Sequence, residues 1–210
     1  MTWEVLRIDV LPRPPPKARA LTIAAGIGVL TGLISSLPSP LPDLKLDEPG
    51  LVISAETVPL HAGIAFGAGV ALIVWLWARR DLGKCLLAMA LALIGWLAAV
   101  NTANDVMTVV VSSELFGTVE GAKASRETLG WLLGGLAAGA VGAGLTAFGG
   151  GIAAESIRRV EAWGTIAAVG ALFGLLLYPA VSNDAIALLL VPWQVAVAAA
   201  LANALTLQRA

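Results

Sequence analysis

The chain has 210 residues, of which 58% are hydrophobic and 13% are charged, and its mean hydropathy is +0.87. A soluble domain of this size has too little interior volume to bury so much apolar surface, and a disordered chain would carry more charge. The net charge of −1 provides no basic surface for nucleic acid. The composition therefore predicts an all-α polytopic membrane protein, with the lipid bilayer as its first partner.

Reactive side chains are scarce. Cys85 is the single cysteine and His61 the single histidine, which excludes an internal disulfide and a histidine-rich metal cage. The chain also contains no GxSxG, HExxH or CxxC motif and no phosphate-binding glycine loop with lysine. We therefore expect no metal, no cofactor and no enzymatic activity.

Six apolar stretches are long enough to cross a bilayer as helices, which takes roughly 20 residues. All six lack Asp, Glu, Lys and Arg, and they cover residues 20–37, 60–78, 85–101, 128–148, 164–180 and 185–205. They predict a single six-helix transmembrane domain over residues 20–205. An N-terminal arm (residues 1–19) precedes it and a short tail (residues 206–210) follows it.

The basic residues predict the orientation of this bundle. Three of them, Lys45, Lys123 and Arg126, fall in the connections on one side. All others fall on the side that holds both termini: Arg7, Arg13, Lys17, Arg19, Arg79, Arg80, Lys84, Arg158, Arg159 and Arg209. Because cytoplasmic loops carry the excess of Lys and Arg, both termini are expected in the cytoplasm, with the protein in a bacterial inner membrane.

Two outer connections have structure of their own. Leu44–Leu46 and Leu51–Ile53 are β-prone runs around a Pro49-Gly50 turn, and they predict a small β-hairpin. The second connection, residues 102–127, includes the run Val106–Val111, which is too apolar for a free loop. Three alternatives stay open for it: it extends the third helix, lies in the membrane interface or re-enters the bundle.

Several patterns within the spans predict how the helices pack. Small-xxx-small pairs, which let helix backbones approach closely, occur at Gly28/Gly32, Gly63/Gly67, Gly130/Gly134 and Gly135/Gly139. Pro192 predicts a helix break in the last span, and Tyr178-Pro179 a similar one in the fifth. Trp75, Trp77, Trp131 and Trp163 lie near span ends and are expected to anchor the interface.

Seven polar residues are candidates for a substrate or ion path that starts at the outer face: His61, Asn101, Asp105, Glu114, Glu127, Asp184 and Gln194. The carboxylates would form an acidic vestibule, and Gln194 would lie at mid-membrane beside Pro192. The alternative interpretation is structural, because Asn and Asp cap helices and acidic residues favour helix N-termini. Both interpretations stay open.

We expect a small channel or solute-transport component without its own energy coupling, because no carboxylate or lysine lies within the spans. The alternative is a structural or accessory subunit of a larger membrane complex. Second copies or other subunits would then dock on the N-terminal arm and the outer loops. A third hypothesis is an intramembrane lipid-modifying enzyme, for which the chain shows no recognisable nucleophile and base.

Overall fold

The computed structural model describes residues 17–38, 44–45, 57–78, 80–113 and 122–206. The helices are α1 (Lys17–Ser36), α2 (Leu60–Trp77), α3 (Leu82–Ser112), α4 (Ala122–Ala153), α5 (Val160–Gly174), α6 (Leu177–Ser182) and α7 (Ala187–Thr206). A 3-10 turn, Glu155–Arg158, joins α4 to α5. Six helical segments are long and apolar enough to cross a membrane, α5 and α6 together forming one of them. The predicted class, a helical protein with six candidate membrane spans, is confirmed.

The third helix is much longer than its predicted span. The predicted span ends at Asn101, and α3 continues to Ser112, in agreement with the first of the three alternatives for residues 102–127. The helix has 31 residues and a length of about 46 Å at 1.5 Å per residue. Hydroxyls of Thr102 and Thr108 donate to the carbonyls of Ala98 and Asn104, so these polar groups are satisfied on the helix itself. The connection 102–127 therefore begins as an extension of α3, and α4 begins at Ala122.

The fifth span is interrupted a few residues before Tyr178-Pro179, where the sequence predicts the break. Its helix ends at Gly174, a turn covers Leu175 and Leu176, and α6 starts at Leu177. Pro179 lies in the first turn of α6. It has no N–H to donate to the carbonyl of Leu175, so the regular hydrogen-bond ladder cannot run through this point. The helix break predicted at Pro192 is not observed: α7 continues through this residue from Ala187 to Thr206.

Two short strands lie in the connection between α1 and α2. Leu44–Lys45 (β1) pairs antiparallel with Thr57–Val58 (β2). The Pro49-Gly50 turn and the run Leu51–Ile53 lie outside the described residues, as do Glu114, residues 1–16 of the N-terminal arm and residues 207–210 of the tail. The predicted hairpin around Pro49-Gly50 therefore stays a prediction.

Each span packs antiparallel on the next, and α7 packs back on α1, so that the spans form a ring. Glycines lie at most of these contacts. A Cβ on Gly28 would come within 2.6 Å of the Val195 Cα, and one on Gly32 within 2.7 Å of the Val191 Cα. The remaining predicted pairs lie at other seams: Gly63 and Gly67 against α3, Gly130 and Gly134 against α3, and Gly135 and Gly139 against α5.

The two ends of the ring differ. Described basic residues at what we call the basic end are Lys17, Arg19, Arg80, Lys84, Arg158 and Arg159. The buried apolar core fills the half next to this end and includes Ile73, Ile157 and Leu201, each 1% exposed or less. Trp77 belongs to this core at 4% exposure, so it is not the interfacial anchor expected. Large apolar side chains such as Leu30 and Leu172 are exposed on the outside of the ring, where the bilayer would cover them.

Candidate functional site: a central cavity

A cavity of about 750 Å³ occupies the half of the ring opposite the basic end. It is lined by all six spans, including Ser36, His61, Val100, Thr108, Trp131, Leu177 and Leu190. Pockets that bind small molecules typically measure about 300–1,000 Å³. We call this space the central cavity.

Small side chains on α3 and α4 leave space for the central cavity. Ala99 and Ala103 on α3 line the central cavity, as do Ala138 and Gly139 on α4. Gly139 has a second constraint, because a Cβ there would collide with the backbone carbonyl of Gly170 on α5. The close approach of α4 and α5 therefore fixes one wall.

The floor of the central cavity is formed by Trp193, which packs against Phe66 in the buried core behind it. The rings of Trp193 and Phe66 lie 5.1 Å apart between centroids, at an angle of 55°. The Trp193 indole also donates to the carbonyl of Gly170 across 3.0 Å, which fixes its orientation between α5 and α7. Beneath this layer lies the buried core of the basic half. Among the described residues, the lining of the central cavity therefore ends at Trp193.

Two further tryptophans line the walls. Trp96 donates to the carbonyl of Pro59 at 3.1 Å. Trp131 lines the central cavity instead of only anchoring the interface, and its indole N–H has no hydrogen-bond partner among the described residues. Trp131 is therefore a candidate donor toward a bound molecule.

A hydrogen-bonded pair lies at the level of the floor. Gln194 on α7 is completely buried, and its Nε2 donates to Ser35 Oγ on α1 across 3.0 Å. Ser35 lines the central cavity and donates in turn to the carbonyl of Ala62 on α2 at 3.2 Å. Gln194 Oε1 has no hydrogen-bond partner in the described part of the chain.

His61 lines the central cavity near the start of α2. Its Nε2 lies 3.1 Å from the carbonyl oxygen of Leu37, at the end of α1. A carbonyl can only accept, so Nε2 carries the hydrogen. Within the described ranges Nδ1 is buried and has no partner. The histidine therefore joins the ends of α1 and α2 beside the central cavity.

The predicted acidic groups are not brought into this space. Asp105 and Asp184 are exposed and Glu127 is half-buried, and none of the three lines the central cavity. Asn101 is buried and donates to the carbonyl of Leu97 on its own helix at 2.8 Å. Asp184 adopts a left-handed conformation with φ of 49° in the turn before α7, a conformation that Asp tolerates better than most residues.

Charged side chains are absent from the described lining of the central cavity, whose only titratable side chain is His61. Nor do the described residues contain a group of three or more His, Cys, Asp or Glu side chains that could hold a metal ion. No protein-family model matches the chain, and no curated protein or solved structure matches it either.

Proposed function

We propose that the protein is a solute-transport component without its own energy coupling, which binds an uncharged and largely apolar molecule in the central cavity. The observation that supports this most directly is a cavity of about 750 Å³ lined by all six candidate spans. A purely structural bundle gains more contacts by filling such a space, because interiors normally pack without large voids.

The lining favours an uncharged solute. Burying an ion in a membrane-embedded cavity is costly unless an opposite charge or several hydrogen bonds compensate for lost hydration. The hydroxyls of Ser36 and Thr108 already donate to the carbonyls of Gly32 and Asn104, so toward a ligand they offer acceptor oxygens only. Trp131 offers a donor. This combination suits a neutral molecule with one or two polar groups.

The closed floor favours a binding component over an open channel. Passage across the membrane would require the Trp193–Phe66 layer to move, or a separate subunit to drive that movement. The predicted spans contain no carboxylate or lysine that would couple such a movement to protons. Energy would therefore come from a solute gradient or from a partner.

We further propose that the basic end faces the cytoplasm of a bacterial inner membrane, by the positive-inside rule. The central cavity would then lie on the opposite, outer side of the membrane. In this orientation the protein would take up its solute from outside the cell.

The experiment is to measure small molecules that remain bound to the gently purified protein. Val100→Trp places a bulky ring in the central cavity, while Leu86→Trp places the same ring on the lipid-facing side of α3, where Leu86 is 56% exposed. We expect a stoichiometric neutral molecule in the wild type and in Leu86→Trp, but not in Val100→Trp. Equal amounts in all three proteins, or none in any, would contradict the proposal.

A second candidate is an accessory subunit of a larger complex. The length of α3 and α4 favours this candidate. Gly63, near the start of α2, lies against Trp96 of α3, and α3 continues from there to Ser112, so α3 and α4 extend well past the start of α2. The projecting helices would give a partner a docking surface. A stoichiometric foreign subunit in native mass spectra, with an empty central cavity, would favour this alternative.

A further inference from the structure

A second, smaller cavity lies at the basic end, between the start of α5 and the end of α7. It measures about 210 Å³, and its polar lining residues are Ser156, Arg159, Glu161, Thr165 and Asn203. Ala162, Ala200 and Ala204 form the rest of the lining. We call it the α5–α7 groove. It is separate from the central cavity, with which it shares no lining residue.

Most polar side chains around the groove have no hydrogen-bond partner among the residues that the structure describes. Ser156 is only 5% exposed, yet its Oγ has no hydrogen-bond partner in the described structure. The half-buried amide of Asn203, within the α7 span, is likewise unpaired among those residues. The exception is Thr165, which donates to the carbonyl of Glu161 on its own helix. A buried hydroxyl or amide without a partner is costly, so a ligand that supplies one is favoured.

The donors of the groove suit a phosphate. Arg159 is exposed, forms no ion pair within the described ranges, and directly precedes the first residue of α5. The first backbone N–H groups of this 15-residue helix, which have no partner within the helix itself, add partial positive charge at the same place. Together with the Ser156 hydroxyl and the Asn203 amide, they provide charged and neutral donors for phosphate oxygens.

Glu161 favours a phosphate group that carries a cation. Its carboxylate would repel a free phosphate dianion or a purely anionic headgroup, but it would attract a cation attached to the phosphate. The small side chains of Ala162, Ala200 and Ala204 form the apolar part of the lining, on α5 and α7. A lipid headgroup with both charges, and an acyl chain beside it, matches these features.

We propose that the α5–α7 groove binds a phospholipid whose headgroup carries a primary ammonium, with the phosphate at Arg159, Ser156 and Asn203 and the ammonium at Glu161. Phosphatidylethanolamine has this chemistry. The ligand comes from the leaflet at the basic end, because the groove lies at the helix ends on that side. This site does not depend on the function proposed for the central cavity.

Native mass spectrometry of the full chain tests this assignment after release from nanodiscs that contain equal amounts of phosphatidylethanolamine, phosphatidylcholine and phosphatidylglycerol with identical acyl chains. We expect phosphatidylethanolamine to be retained about fivefold or more over the other two, as charge-assisted hydrogen bonds would give. Glu161→Gln should remove the preference over phosphatidylcholine. Arg159→Gln and Asn203→Leu should reduce the retention of phosphatidylethanolamine itself.

Two matched variants serve as controls: Arg80→Gln and Glu155→Gln each remove one exposed charge from the same end, outside the groove. Both should retain the wild-type preference. Equal retention of the three lipids by the wild type, or a preference unchanged by Arg159→Gln and Glu161→Gln, would overturn the proposal. Inorganic phosphate alone, added in lipid-free detergent, should not bind. A phosphate adduct that Arg159→Gln removes would assign the groove to free phosphate instead.

Discussion

Gln194 and Ser35 are 159 residues apart in sequence, yet Nε2 of the glutamine lies 3.0 Å from the serine hydroxyl. The Ser35 hydroxyl donates in turn to the carbonyl of Ala62. One chain of hydrogen bonds therefore joins α7, α1 and α2 at the floor of the central cavity. The bond lies where the last helix meets the first. It therefore helps to close the ring of spans that encloses the central cavity.

The first prediction concerns the stability of this closure. Ser35→Ala removes the acceptor of Gln194 Nε2. The buried amide is then left with no partner among the described residues for Nε2 or for Oε1. We expect a loss of about 0.5–1.5 kcal/mol in the free energy of unfolding, the range seen for hydrogen bonds between membrane helices. Reversible unfolding in mixed micelles measures it.

Gln194→Leu provides the matched comparison for that variant. It removes the bond but also removes the unpartnered Oε1 from the interior, so the net change should be smaller than for Ser35→Ala. The double variant should be more stable than Ser35→Ala alone. If Gln194→Leu proved the most destabilising of the three, the role assigned to the pair would be wrong.

Close packing of α4 on α5 leads to the second prediction. A Cβ on Gly170 would collide with the side chain of Ala143 and the backbone of Gly139, which cannot move aside easily. Gly170→Ala should therefore lower the free energy of unfolding by about 1–3 kcal/mol. Gly164→Ala, on the same helix, meets no atom within 4 Å and should be neutral or slightly stabilising. Equal effects of the two substitutions would contradict this packing.

The sequence alone predicted the number of candidate membrane spans and several positions at which helix backbones could approach closely. Both follow from local signals: runs of apolar residues without charge, and glycines spaced four apart. Gly135 and Gly139, for instance, were expected to permit close approach, and α5 lies against them. Their partners could not be assigned, because every span of this chain offers small residues.

The central cavity was not predicted, since it depends on the arrangement of the spans around the ring. Trp131 on α4 and Trp193 on α7 line the same space although they are 62 positions apart in the chain, because α7 packs against α4 and α5. Whether α3 ends at Asn101 or extends beyond it stayed open in the sequence for a local reason. Asn and Asp are frequent at helix ends, and three of them lie at Asn101, Asn104 and Asp105. Here the Asn101 side chain donates to a carbonyl of its own helix, and the helix continues.

Orientation gives the third prediction. Six described basic residues cluster at one end, and the positive-inside rule places that end in the cytoplasm. A green fluorescent protein fused after residue 210 should fluoresce, whereas alkaline phosphatase fused there should be inactive. Alkaline phosphatase fused after Ser112, where α3 ends on the opposite side, should be active. The reverse pattern would place the central cavity on the cytoplasmic side.

The central claim is that one half of the bundle is hollow and the other is packed. Two valines test it most directly, since Val100 lines the central cavity and Val197 is completely buried in the core of the basic half. Each is changed to cysteine in a Cys85→Ala background and exposed to a small membrane-impermeant methanethiosulfonate from the outer side. We predict that Val100→Cys is modified and that Val197→Cys is not. Equal protection of both cysteines, or modification of Val197→Cys alone, would contradict the account.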